Sequence, residues 1–388
     1  MEFRFTDVRE RHMARALELA ERGRGSTSPN PMVGCVVVRD HEIVGEGWHQ
    51  RAGEPHAEIH ALRAAGLAAR GSTVYVTLEP CNHHGRTPPC SRALIEAGVK
   101  RVIIAAQDPN PRVDGRGIEA LEKAGIEVEV GVLAREATSQ NEVFFTVQLE
   151  KRPFVLFKTA MTLDGKIATS TGESRWITGP LAREKVHRWR HELDAIAVGI
   201  NTVLHDDPRL TTRFEGGYSP VKVIFDSAAR TPPQAKLFED DPRGERARVI
   251  VFATEKASKT RVDALRERGA EVITTSQVSG RVEIRTALAE LLDRELTSVL
   301  LEGGGTLSWS FFEAQAVDRL AWFISPKLLG GNGASPLAGV GVSRLASAFH
   351  LESWQTEALG MDLLITGRPL YPKDQKLEAG YATEEVGR

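Results

Sequence analysis

The chain has 388 residues, 41% of them hydrophobic and 26% charged, with a formal net charge of -2. This is more than one hydrophobic core usually spans, roughly 250 to 300 residues, so two domains are expected, and the ordinary globular composition excludes disorder as the overall state. The near-neutral charge removes the long-range attraction a nucleic-acid binder uses; no apolar run nears the roughly 20 residues of a bilayer crossing, and the charged start lacks a signal-peptide core, so a cytoplasmic protein is expected.

From about Thr6 to Arg22, Val8, Met13, Ala16, Leu17 and Ala20 recur at helical spacing, with Thr6 or Asp7 as the N-cap. GCVVVRD and HEIVGEGWH read as two strands turning near Asp40, and PHAEIHALRAAG returns to helical periodicity. A strand at STVYVTL, a helix at SRALIEAGV and a strand at RVIIAAQD follow. The polar stretch Leu133 to Gln148 is helical in composition and closes a layered α/β domain over residues 1–150.

A second pattern opens near Lys151 with the β-rich run KRPFVLFKTAMTLDG. The helix at GPLAREKVHRWRHELD carries Pro180 at its first position, where the missing N–H costs nothing. Strands at AIAVGI, VKVIFD, RVIVFAT and SVLLEGG complete a second α/β domain over residues 151–369. Residues 370–388 are polar and aperiodic and read as a mobile tail.

Three cysteines, Cys35, Cys81 and Cys90, are too few and too odd in number for a disulfide framework. His56 and Glu58 form an HxE triplet opening a helix, Cys81 follows a strand, and Cys90 precedes another helix. One imidazole and two thiolates make three ligands, which leaves a fourth position on Zn2+ for water, the arrangement of a catalytic site. Glu58 is then the carboxylate that takes a proton from that water and passes it to the leaving ammonia. Hydrolytic deaminases carry HxE followed by PCxxC. Here eight residues, NHHGRTPP, separate the cysteines instead of two, so a loop bearing His83, His84 and Arg86 is expected to bulge beside the metal. His83 or His84 as a fourth ligand would make the metal structural; Arg86 is either a phosphate donor or a solvated loop arginine. Cys35, in an apolar strand, reads as a small buried hydrophobe.

TSPNPMVGCVVV, PHAEIHAL, TLEPCNHHGRTPPC and DPNP, followed by KTAMTLDGKIA, GESRWITG, DDPRLT and LLEGGG, resemble the bacterial bifunctional riboflavin-biosynthesis deaminase/reductases. The likeness runs from Ala14 to about Gly367, and the long loop between the cysteines is that family's own. The resemblance implies a cytidine-deaminase-like three-layer α/β/α domain that deaminates a phosphoribosylamino-pyrimidine. It implies also a dihydrofolate-reductase-like domain that reduces the ribose to a ribityl chain with NADPH. His56, Cys81 and Cys90 match the zinc ligands and Glu58 the proton shuttle; Asn30, His49 and Asn110 match contacts to the pyrimidine, although Asn beside Pro is also common turn chemistry.

In the second half, Glu302 and Gly303, Gly304 and Gly305 sit between an apolar strand and an apolar helix beginning near Thr306, a junction whose free N–H groups suit an anion. It is not the GxGxxG of a Rossmann unit, and spacing alone does not point to hydride chemistry. By resemblance, Ala160, Trp176, Thr202, Asp206, Ser227 and Gly304 match cofactor positions, and Ser174, Arg190, Leu210, Arg213 and Glu302 match substrate positions. Arg190 and Arg213 suit a ribose phosphate as planar forks, with an exposed helical face competing for Arg190. Ser227 and Arg230 are candidates for the cofactor's extra phosphate. Lys158, a charge within FVLFKTAM, needs a partner, and Lys158 with Asp206 is expected as a catalytic polar pair near the transferred hydride. A homodimer or homotetramer is expected by family analogy. A nucleic-acid-editing deaminase, or a ligand-binding protein with a structural zinc, are the competing functions; the first needs a basic surface that the second half does not carry.

Overall fold

Asp7 starts the first helix by accepting a hydrogen bond from the Arg9 backbone N–H, one of the amides that a helix start leaves unpaired. The computed structural model describes residues 7–82, 89–110, 113–214, 216–241, 244 and 246–371. They fall into two compact units, one running to Phe154 and including Leu291–Thr297, the other comprising Val155–Glu290 and the residues from Ser298.

The first unit contains α1 (Val8–Glu21), β1 (Gly34–Arg39), β2 (Glu42–Trp48), α2 (Ala57–Ala65), β3 (Thr73–Leu78), α3 (Cys90–Ala97), β4 (Arg101–Ala106), α4 (Arg116–Lys123), β5 (Glu127–Val130), α5 (Ala134–Gln140) and α6 (Glu142–Glu150). Its sheet runs β2-β1-β3-β4-β5, with β1 antiparallel to both neighbours and β3, β4 and β5 parallel. The β1–β2 turn falls at Asp40 and His41, both at positive φ (51° and 68°), the twist a tight hairpin requires.

Strand side chains alternate between two buried faces. Cys35, Val37, Val74, Val76, Val102 and Ile104 pack with Ala57 and Ala61 of α2, Leu94 of α3 and Leu121 of α4. Val36, Val38, Tyr75 and Ile103 pack with Met13, Ala16 and Leu19 of α1 and Ala137 of α5. Burial on both sides is why GCVVV is continuously apolar rather than alternating. The close seating of α1 requires Gly34, since a Cβ there would lie 1.9 Å from the Ala16 carbonyl oxygen. The stretch expected as one closing helix is two, meeting at Asn141, whose buried side chain accepts from Met32 N–H and donates to Met32 C=O, both at 2.8 Å.

The second unit carries most of β6 (Phe154–Thr162), then α7 (Pro180–Glu192), β7 (Ala195–Gly199), α8 (Ile200–Asp206), β8 (Val221–Phe225), β9 (Val249–Thr254), α9 (Lys259–Glu267), β10 (Glu271–Thr275), β11 (Gln277–Val278), β12 (Arg281–Val282), most of α10 (Ile284–Leu292), β13 (Ser298–Leu301), α11 (Gly305–Glu313), β14 (Arg319–Ser325), β15 (His350–Leu359) and β16 (Asp362–Leu370). Nine strands form one sheet in the order β10-β9-β8-β7-β13-β6-β14-β16-β15. The order places β6 between β13 and β14, so a side chain in the middle of β6 neighbours the residue that leaves β13. Pro180 occupies the first turn of α7 as expected.

Two residues of the expected tail belong to the fold. Leu370 ends β16, and Tyr371 is 7% exposed, its hydroxyl donating to Val317 C=O and accepting from Val317 N–H, both at 2.9 Å. A buried aromatic whose polar tip is satisfied ends the sheet regardless of the polar residues beyond it. Residues 372–388 lie outside the described residues.

Candidate active sites

In the first unit the carboxyl end of β3 and the amino ends of α2 and α3 bring the HxE triplet and both cysteines together. His56 is the N-cap residue of α2, Glu58 lies in its first turn, and Cys90 opens α3. His56 Nδ1 faces both sulfurs, at 3.6 Å from Cys81 Sγ and 3.3 Å from Cys90 Sγ, and the three ligand atoms all lie within 4.8 Å of one another. Zn–S bonds of about 2.3 Å and Zn–N bonds of about 2.0–2.1 Å give a tetrahedron whose N···S edge is about 3.5 Å, so the donor spacing fits zinc. Chemistry agrees with geometry. The hydrogen bond with Cys90, with burial opposing and His56 assisting, holds the Cys81 thiol well below its usual range; that same hydrogen bond, with burial, pushes Cys90 well up. The protein alone thus favours ionising one sulfur, and a cation is what would let both be thiolates.

Glu58 is 3% exposed, and its Oε2 is buried without a hydrogen-bond partner among the described residues. Burial pushes this carboxyl up to about 7, against the pull of His56. A carboxyl pushed toward neutrality by burial beside the His56, Cys81 and Cys90 donor cluster is suited to general acid/base work. Cys35 is fully buried in the core beside it, its thiol pushed up by burial, as a small hydrophobe.

Asn30 and His49 also meet there. His49 is 2% exposed, its ring 5.4 Å from that of His56. Its Nδ1 lies 3.2 Å from Pro55 C=O, which can only accept, so Nδ1 carries the proton and Nε2 accepts from Asn30 Nδ2 at 3.1 Å. Burial holds the imidazole pKa down, in keeping with this neutral form. The amide of Asn30 is thereby oriented with its Nδ2 on His49. Asn110 sits in a loop after β4, its N–H donating to Asp108 Oδ1 at 2.8 Å. His83, His84 and Arg86 lie outside the described residues.

In the second unit the geometry corrects the expected pair. Lys158 Nζ lies 3.7 Å from Glu302 Oε2, and no ion pair joins it to Asp206. Glu302 directly follows β13, two strands along from β14 and beside β6, which explains the match; Asp206 is at the far end of α8, where its carbonyl accepts from Arg175 Nη2 at 2.8 Å. Arg190 is not on an exposed helix face either. Its side chain is 14% exposed, with Nε donating to Glu302 Oε1 at 2.8 Å, Nη2 to Oε2 at 3.0 Å and Nη1 to Thr211 C=O at 3.1 Å. The fork expected for phosphate is therefore committed to a carboxylate. Burial alone would raise Glu302, but Arg190 and Lys158 outweigh it and hold it at about 2. Burial lowers Lys158, partly offset by Glu302.

Arg213 is exposed, and burial together with Arg190, Arg175 and Arg209 lowers its pKa, the mark of a cation set among cations. Leu210, buried at 4%, holds positive φ (55°) in the same segment. His187, which sequence reasoning did not single out, lies one turn before Arg190 on α7. Among the described residues its Nδ1 is buried without a partner, and burial, then Arg190 and Arg213, lower it to about 4. The i, i+3 spacing of His187 and Arg190 was the available signal.

The expected cofactor positions are distributed around the same sheet. Ala160 lies on β6 and Thr202 on α8; Trp176 is 57% exposed with the Arg183 guanidinium 4.6 Å from its ring centre. Ser174 is partly exposed in the preceding loop. Ser227 Oγ accepts from Val282 N–H at 3.2 Å, and Arg230 Nη2 reaches Asn201 Oδ1 at 3.3 Å. Gly304 is the N-cap residue of α11 with no side-chain cap, and a Cβ there would meet nothing, whereas one on Gly305 would lie 2.5 Å from Ser335 C=O. Gly303 to Thr306 thus form an open helix start able to receive an anion. An apolar cavity of about 450 Å³ lined by Trp309, Phe312, Trp322 and Phe349, among others, contains none of these residues.

Comparison with known proteins agrees with both halves. Residues 6–106 match the cytidine and deoxycytidylate deaminase zinc-binding region, and residues 153–365 match the RibD C-terminal domain. The chain is 44% identical to riboflavin biosynthesis protein RibD of Actinobacillus pleuropneumoniae over 91% of this chain and 93% of that one, and 40% identical to RibD of Escherichia coli over 92% and 98%. Among solved structures it resembles Acinetobacter baumannii RibD, at 37% identity and a TM-score of 0.82. It also resembles a diaminohydroxyphosphoribosylaminopyrimidine deaminase/5-amino-6-(5-phosphoribosylamino)uracil reductase of Thermotoga maritima, at 39% identity and 0.80. Both alignments cover 94% of this chain and 99% of the other.

Proposed function

The chain belongs to the family of bifunctional riboflavin-biosynthesis deaminase/reductases, with a zinc-binding deaminase domain and a reductase domain, and from that premise we propose how its residues divide the two reactions. The first unit hydrolyses the amino group of 2,5-diamino-6-(5-phosphoribosylamino)pyrimidin-4-one. The second reduces the ribosyl group of the resulting 5-amino-6-(5-phosphoribosylamino)uracil to ribityl with NADPH. The observation that carries the first assignment is the convergence of His56 Nδ1 with both cysteine sulfurs beside the buried Glu58 carboxyl, whose Oε2 has no hydrogen-bond partner among the described residues.

His56, Cys81 and Cys90 hold zinc, which when bound supplies the Lewis acidity that makes water a nucleophile near neutrality. Glu58 takes the proton of the attacking water and delivers it to the departing ammonia; its burial keeps it poised to do both. Asn30, fixed by His49, and Asn110 bind the edge of the pyrimidine. In the second unit Gly303, Gly304, Gly305 and Thr306 would receive the phosphates of NADPH and Ala160, Trp176, Thr202, Asp206 and Ser227 would contact it, a cofactor that when bound would supply the hydride. Lys158, held by Glu302, is the proton donor to the ring-opened sugar. Ser174, Leu210 and Arg213 complete the substrate site, and the cationic surroundings of Arg213 suit a ribose phosphate. Arg190 orients Glu302.

Among the described residues no helix is long and apolar enough to cross a membrane. A cytoplasmic location belongs to this reading, since a pair of ligand thiolates survives in a reducing compartment. So does a homodimer or homotetramer, supported by β15, an edge strand of ten residues that exposes Trp354 at 61%.

Zinc analysis with ammonia release, for wild type and Glu58→Gln, followed by NADPH oxidation on the product, tests the assignment. Stoichiometric zinc, ammonia abolished in the variant, and product-dependent NADPH oxidation are expected. Bound zinc without ammonia release in the wild type would sink the substrate, and a zinc-free active protein would sink the site.

A further inference from the structure

Glu79 sits between β3 and Cys81, is 4% exposed, and the hydrogen bonds its side chain accepts among the described residues all come from backbone amides, with the Asp108 carboxyl, raised first by burial, near enough to be raised further by its charge. Its Oε2 accepts from Asp108 N–H at 3.3 Å and Gly115 N–H at 3.1 Å; its Oε1 accepts from Gly117 N–H at 2.9 Å and Ile118 N–H at 3.4 Å. Gly117 and Ile118 belong to the first turn of α4, whose N–H groups have no acceptor within the helix. The N-cap residue of that helix is Gly115, at φ 82°, with no side chain to cap it. Glu79 is therefore the cap of α4, delivered from another element, and its charge lies at the positive end of the helix. The approach is close enough that a Cβ on Gly117 would lie 2.0 Å from Pro80 C=O.

The same oxygen that caps α4 through Gly115 also reaches back to Asp108. Asn110 lies between these two amides, its N–H held by Asp108 Oδ1 and its C=O accepting from Val113 and Asp114 N–H. One carboxylate thus ties both ends of the Asn110 loop to the strand end that, two residues later, supplies Cys81.

We propose that Glu79 is a positioning residue for the deamination: it sets the Asn110 loop in register with the metal-ligand end of β3, so that it governs binding of the pyrimidine rather than the metal or the proton transfer. This rests on the reading of Asn110 as a pyrimidine contact. A glutamine in its place keeps the shape but turns an NH2 donor toward two of the four N–H groups, so those bonds become repulsions. An aspartate keeps the charge and withdraws it by about one carbon–carbon bond, ~1.5 Å.

The test measures zinc content, KM and kcat for ammonia release, and reductase turnover as an internal control, in Glu79→Gln, Glu79→Asp, Asn110→Ala and Glu79→Gln/Asn110→Ala of the full chain. Expected are one zinc per chain and unchanged reductase throughout. KM should rise about tenfold or more in Glu79→Gln and less in Glu79→Asp, with kcat within about threefold. The double variant should be no worse than Asn110→Ala, because the loop no longer has a contact to place. Wild-type KM in both Glu79 variants beside an impaired Asn110→Ala overturns the proposal while sparing Asn110. Effects that multiply in the double variant, or loss of zinc, overturn it by showing another route. Should Glu79→Gln fail to fold, Glu79→Asp decides by the same KM criterion. An unimpaired Asn110→Ala removes the reading of Asn110, and this proposal with it.

Discussion

Arg190 grips Glu302 through two parallel hydrogen bonds, Nε to Oε1 at 2.8 Å and Nη2 to Oε2 at 3.0 Å, while Lys158 approaches Oε2 to 3.7 Å. The three side chains are 12–17% exposed, so neither cation has bulk water to replace the carboxylate. Glu302→Gln should therefore strand two buried positive charges, costing about 3–5 kcal/mol of stability. Reductase turnover should fall by about 100-fold or more with deaminase turnover retained. Urea titrations with both assays check this. Lys158→Ala should lose reductase activity; full activity in both Lys158→Ala and Asp206→Ala would remove them from the catalytic machinery.

The same pairing sets an acid limit. Glu302 is held at about 2 against a usual 4.5, so its stabilisation is complete above about pH 4.5 and is lost as pH falls toward 2. His187 acts higher. Its folded value of about 4 lies below the usual 6.5, so between these the unfolded chain binds a proton that the folded chain refuses, and stability falls as pH drops from about 6.5 toward 4. The denaturation midpoint should decline between pH 7 and pH 5 less steeply in His187→Gln than in wild type. Equal slopes would dispose of the idea.

Removing zinc with a chelator should abolish ammonia release and leave reductase turnover intact, because His56, Cys81 and Cys90 all belong to the first unit. Cys81→Ser and Cys90→Ser should reproduce the loss with little or no bound zinc, and Cys35→Ala should retain both metal and activity. Metal analysis of the purified variants distinguishes these cases.

Trp354 on β15 provides a check on assembly. Sedimentation of the wild type should give a dimer or tetramer, and Trp354→Glu should lower the assembly state without loss of the fold. A wild-type monomer across micromolar concentrations would contradict the expected assembly.

The His56, Cys81 and Cys90 cluster was readable from the amino-acid sequence because each member sits in a short motif at the end of an element whose periodicity is local: His56 and Glu58 at a helix start, Cys81 after a strand, Cys90 at the next helix start. Helices and strands follow from covalent neighbours at spacings of two, three and four, so the alternating layers were legible too. Partners brought together by strand order were not. Lys158 called for a counter-charge, but whether Glu302 or Asp206 supplied it depended on β6 lying beside β13, and Arg190 reaches Glu302 across 112 residues. Glu79 is one carboxylate in a motif already explained by its cysteine; its four amides lie 29 to 39 residues away, and backbone N–H groups leave no trace in residue identity. Sequence by itself determined the family, the candidate donor residues and the elements of strong local periodicity; tertiary structure decided the break of the closing helix at Asn141, the addition of β14 to β16 to the second sheet, and which charges pair, because those choices are made by long-range packing rather than by neighbours along the chain.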